Sequence, residues 1–68
     1  MKYIYTKEMC SACHDLKKHY KELGIEYEER EADRITNPQD DIDKDMFIKI
    51  AQEGKSLNPI ELPVEIDI

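Results

Sequence analysis

Two cysteines stand three apart in Cys10-Ser11-Ala12-Cys13. When the residues between them form the first turn of a helix, that spacing brings two thiols close enough to close a disulfide. A thiolate at a helix N-terminus faces unpaired backbone N–H groups and the positive end of the helix dipole, which lowers its pKa from about 8.5 toward neutrality and makes it a nucleophile. In that position Cys10 attacks a substrate disulfide to give a mixed disulfide, and Cys13 then displaces the reduced product. Lys7, three residues earlier, adds a cation near the thiolate and Glu8 opposes it. Taken alone, Lys7 is an ordinary solvated charge at a strand end. Pro63 is the second feature, because it immediately precedes Val64-Glu65-Ile66. A cis bond from Leu62 would turn the chain there and present Leu62 backbone groups beside the cysteines, whereas Pro59 reads as plain punctuation.

The same residues permit other chemistries. Cys10-Ser11-Ala12-Cys13-His14 also spells a c-type haem attachment pattern with His14 as the iron ligand, although His14 reads first as an exposed helix residue beside Cys10. Cys10, Cys13 and His19 offer three ligands to zinc, or Cys10 a bridge between two chains through an iron-sulfur cluster, but the second ligand pair of a structural zinc site is absent. Asp40, Asp41, Asp43 and Asp45 lack the glycine and terminal glutamate of a calcium loop and read as the N-terminal face of a helix. A non-catalytic adaptor is a further alternative, in which a Cys10→Ser change would leave function intact.

Positioning the cysteines falls to the elements around them. Lys2 to Thr6, with Tyr3 and Tyr5 on one face and Ile4 on the other, reads as a strand covered on both sides. Ala12, Leu16, Tyr20 and Leu23 fall at helical spacing from Ser11, with the cysteines at the loop–helix junction off that stripe and Gly24 just past the end. Ile25 and Tyr27 open a second strand running to about Ala32. Asp33 to Gln39 reads as a turn leading into a second helix, where Ile42, Met46 and Ile50, widened by Phe47 and Ala51, form the core stripe and Gly54 ends it. Val64 to Ile68 alternates apolar and acidic, as a last strand with one wet face. The order strand, helix, strand, helix, strand predicts an α/β fold with a three-stranded sheet whose first two strands pair in parallel.

Length and charge bound the possibilities. The chain has 68 residues, 16 acidic and 10 basic, for a net charge of −6, and 40% are apolar. One thin core fits that length, which excludes multi-domain enzymes. The acidic balance disfavours nucleic acid and anionic lipid as partners. No apolar run approaches the ~20 residues of a membrane span, and Met1-Lys2-Tyr3-Ile4-Tyr5 lacks the apolar run of a signal peptide, so the cytoplasm is the expected compartment.

Tyr5-Thr6-Lys7-Glu8-Met9-Cys10-Ser11-Ala12-Cys13 resembles the active-site segment of glutaredoxins, especially the small glutaredoxin-like electron donors of ribonucleotide reductase, and Leu62-Pro63-Val64 resembles their cis-proline loop. The resemblance implies a single minimal thioredoxin-like domain over residues 1–68, β-α-β-α-β, with two helices and a mixed sheet whose final strand lies antiparallel beside the first. It implies a dithiol oxidoreductase with Cys10 as nucleophile and Cys13 as resolving thiol, and with Lys7, Leu62 and Pro63 bordering the substrate. No bound cofactor is expected beyond a redox-active Cys10–Cys13 disulfide, with glutathione or thioredoxin reductase as external reductant and a protein disulfide as substrate. Compared with that family the chain is shortened at its C-terminus, so the last strand is expected as an edge guarded by Glu65 and Asp67, or paired with its counterpart in a homodimer.

Overall fold

A computed structural model describes residues 1–57 and 59–68. The β-branched and aromatic run Lys2–Thr6 forms β1, the centre of a three-stranded mixed sheet of order β2-β1-β3. β2 (Tyr27–Glu31) pairs with it in parallel, Lys2 opposite Tyr27 and Thr6 opposite Glu31. β3 (Val64–Asp67) pairs antiparallel, Tyr5 opposite Val64 and Tyr3 opposite Ile66. The two ends of the chain meet beside this ladder: the Met1 ammonium donates to the Ile68 carbonyl at 2.6 Å, and the Ile68 N–H returns a bond to the Met1 carbonyl at 3.0 Å.

Alternation along β1 sorts its side chains between two layers. Tyr5 is buried with Ile35, Met46 and Ile50, and Tyr3, Val64 and Ile66 pack against that cluster from the sheet. On the other face Lys2 Nζ lies 5.3 Å from the centre of the Tyr20 ring, and Ile4 is fully buried. Among the described residues three helices cover the sheet: α1 (Ser11–Leu23), the short α2 (Asp33–Thr36) and α3 (Asp41–Gln52).

Both long helices stop at the glycines that the sequence marks. Gly24, at φ 68°, donates to the Lys21 carbonyl while the Ile25 N–H reaches the Tyr20 carbonyl. Gly54, at φ 70°, donates to Ala51 while Lys55 reaches Ile50. Each pair of bonds is the Schellman closure that a left-handed residue allows.

Four expectations are corrected by the packing. Among the described residues there are three helices rather than two, because Asp33–Thr36 winds into one turn that drops Ile35 into the core. Ile25 lies outside β2, its N–H taken by the closure of α1. The buried stripe of α1 runs through Cys13 and Tyr20 with Leu16 half-buried, while Ala12 and Leu23 are exposed; Cys13 is therefore on the stripe, three and seven residues before its neighbours there. On α3 the buried positions are Asp43, Met46 and Ile50, so the face is rotated toward Asp43 and leaves Phe47 38% exposed and Ala51 exposed.

That rotation has an electrostatic cause. Both Asp43 oxygens are fully supplied: Oδ1 accepts from the Tyr5 hydroxyl at 2.6 Å and Arg30 at 3.0 Å, Oδ2 from Arg34 at 2.9 Å and the Gln39 N–H at 3.0 Å. Burial alone would raise its pKa, but these donors outweigh it and hold the carboxyl well below the usual carboxylate range. Asp40 caps α3 by accepting from the Asp43 N–H, and it receives the Arg30 guanidinium at 2.9 Å. Arg30 in turn lies 4.9 Å from the centre of the Tyr3 ring and donates to Glu28. The charges of β2 are thus the means by which a strand poor in apolar residues is tied to the core.

Candidate active site

The loop that leaves β1 at Lys7 turns through Glu8 and Met9 and delivers Cys10 as the N-cap of α1, in extended conformation at φ −101°. A cap residue of this kind normally offers an oxygen to the free N–H groups of the first turn. Here the acceptor is sulfur: the Cys13 N–H points at Cys10 Sγ from 3.2 Å, and the His14 N–H bonds the Cys10 carbonyl at 3.1 Å. No acidic residue lies in the first turn of α1. Cys10 and Cys13 are joined as a disulfide with their Cα atoms 5.3 Å apart. Cys10 is half-buried whereas Cys13 is only 2% exposed, so the two sulfurs differ sharply in their access to solvent.

An open groove of about 540 Å³ surrounds the pair, bordered by Lys7, Glu8, Met9, His14 and Lys17. Lys7 also lines two adjoining hollows. One, of about 650 Å³, runs along the ends of β1 and β2 past Glu29, Glu31 and Asp33. The other, of about 520 Å³, is floored by Ala32, Leu57, Ile60 and Leu62. Of the residues expected at the site, Cys10, Cys13 and Lys7 therefore share one groove, and Leu62 borders the next one across Lys7. The Leu62–Pro63 peptide is cis. Pro63 lines a separate hollow with Leu16, Met46 and Lys49.

Lys17 is a groove residue that reading the sequence did not single out, although it stands four residues after Cys13 on the same helix face. Its ammonium is held at 2.9 Å by Glu29 Oε2, which also accepts from the buried Thr6 hydroxyl at 2.6 Å. The Thr6 bond first, and the Lys17 bond with it, lower the Glu29 pKa. The interaction spans β1, β2 and α1, so only the register of the parallel pair reveals it.

His14 and His19 are both exposed, and the His19 ring packs at 6.4 Å from that of Tyr20. Among the described residues, no three of the histidines, cysteines and acids converge as a metal-ligand set. Among the same residues no helix is long and apolar enough to cross a membrane. No family model, curated protein or solved structure matches the chain.

Proposed function

We propose that this chain is a thiol–disulfide oxidoreductase of the glutaredoxin type, reducing disulfides on proteins through Cys10 and Cys13. The observation that carries this reading is the cysteine N-cap of α1. The Cys13 N–H aimed at Cys10 Sγ, together with the helix dipole, stabilises negative charge on that sulfur once the pair is reduced. The difference in burial supports a division of roles between the two cysteines. The more accessible Cys10 thiolate attacks one sulfur of the substrate disulfide, forming a mixed disulfide and releasing the other sulfur as a thiolate. The buried Cys13 thiolate then attacks Cys10 Sγ, releasing the second substrate thiolate and leaving the Cys10–Cys13 disulfide. Two electrons pass to the substrate, and an external dithiol reductase or low-molecular-weight thiol returns them.

A minimal thioredoxin-like fold is the architecture that accompanies this reading. It is supported by the order β2-β1-β3, by the parallel and antiparallel pairings of β1, and by a cysteine pair opening the first helix. Lys7, exposed where three grooves meet, suits a substrate-bordering role with Leu62 and Pro63. A ribonucleotide reductase is one candidate for the protein that receives the electrons, with the cytoplasm as the compartment.

A redox titration against dithiothreitol, with alkylation and intact mass at each point, tests the proposal. A reversible two-electron transition between about −300 and −180 mV is expected, with Cys10 alkylated first. Cys13→Ser is expected to accumulate the mixed disulfide and Cys10→Ser to abolish turnover. Retained function in Cys10→Ser would favour the adaptor, and thiols that react only after a chelator is added would favour a metal site.

A further inference from the structure

Met9 combines three observations. Among the described residues it is the only non-glycine with a positive φ, at 60°, a conformation in which a Cβ crowds the following carbonyl and which glycine or asparagine fills most readily. Its side chain is fully exposed, more so than any other large apolar residue described. It also directly precedes Cys10 and borders the groove in which both sulfurs lie.

The usual intramolecular reasons for an apolar residue here do not apply. An apolar residue just before an N-cap commonly folds back onto the fourth residue of the helix as a hydrophobic staple. In α1 that fourth residue is His14, itself exposed, and Met9 remains uncovered. Nor does Met9 belong to the core cluster on the Tyr5 face of the sheet. A strained backbone conformation beside a reactive group, presenting an apolar side chain to water, is the kind of local cost that function offsets. A thioether on an unbranched chain adapts its shape to varied apolar surfaces.

We propose that Met9 is a docking residue for protein substrates, packing against an apolar side chain that flanks the attacked cysteine while Cys10 and the substrate sulfur are joined. The role rests on the oxidoreductase reading above and adds no bond-making step to it. Its consequence is selectivity: disulfides bordered by a leucine-like residue react faster than those bordered by a small polar one.

Two peptides, each closed by one internal disulfide and differing only in Leu or Ser beside the attacked cysteine, provide the test. They are mixed with pre-reduced protein and followed through a single turnover, with bis(2-hydroxyethyl) disulfide as a third substrate. Wild type is expected to react with the Leu peptide about tenfold faster, the size of effect that burying part of an apolar side chain produces. Met9→Gly, which suits φ 60°, is expected to bring the Leu-to-Ser ratio close to one, and Met9→Leu to restore it. Equal wild-type rates on the two peptides, or a Met9→Gly ratio matching wild type, would overturn the docking role while reaction with bis(2-hydroxyethyl) disulfide upholds the redox chemistry. No reaction with any of the three would sink both.

Discussion

Deleting the Asp43 carboxylate would leave the Arg30 and Arg34 side chains without the acid that lies between them, and the Tyr5 hydroxyl buried without its acceptor. Breaking a buried pair by removing one partner costs about 3–5 kcal/mol. A chain of this length has roughly 3–10 kcal/mol of stability in all. Asp43→Ala is therefore expected to lose about 3–5 kcal/mol, a third or more of that total, by urea denaturation at 25 °C. Tyr5→Phe keeps the ring in the core and gives up one bond to a charged group. It should remain folded with a loss of about 1.5–3 kcal/mol by urea denaturation. Equal losses in the two variants would mean that the arginines find other partners when Asp43 is gone.

At the level of elements, helix ends are where local sequence and structure agree most closely. Gly24 takes a left-handed conformation, and a Cβ built there meets nothing within 4 Å, so Gly24→Ala carries a conformational cost alone. That cost is about 1–2 kcal/mol, and Gly24→Asn should lose less, because asparagine tolerates the same region. Urea midpoints of the two variants check the order. The residues that set these ends are neighbours in sequence, as are those that make β1 a two-faced strand, and periodicity or a single glycine suffices to read them. The place of the cysteine pair at a helix start was legible for the same reason, since both cysteines and the N-cap lie within four residues. The face of α3 was not. Asp43 looks like one more acid at a helix N-terminus until Arg30 from β2 and Arg34 from α2 arrive on it, and Phe47 was expected inside because nothing local reveals that an aspartate takes that side of the helix. The single turn of α2 escaped because it buries only Ile35 and has no repeat to display.

Across the whole molecule, one buried pair, Asp43 and Tyr5, sets the pH range of stability. Asp43 has a folded pKa held below its unfolded value, so its contribution is complete above about pH 4–5 and is lost as pH falls below that. Tyr5 has the opposite sign. Burial first, and then the Asp43 carboxylate it bonds, push its pKa well above the tyrosine range, so its contribution is complete below about pH 9–10 and is lost as pH rises further. Urea midpoints measured from pH 2 to 11 should trace a plateau from about pH 5 to 9 with a fall on each side, and Tyr5→Phe should flatten the alkaline fall. An alkaline limb identical in the variant would assign it to other groups.

Met1 and Ile68 are hydrogen-bonded to each other beside Lys2, the end of β1 remote from the turn that carries Cys10. A strand of five residues separates that pole from the cysteine turn, roughly 17 Å at the usual rise per residue. Both ends thus form a single handle. A tether joined at residue 1 or at residue 68 leaves from the pole opposite the groove, so a surface coated through either residue would present the sulfurs outward in both cases.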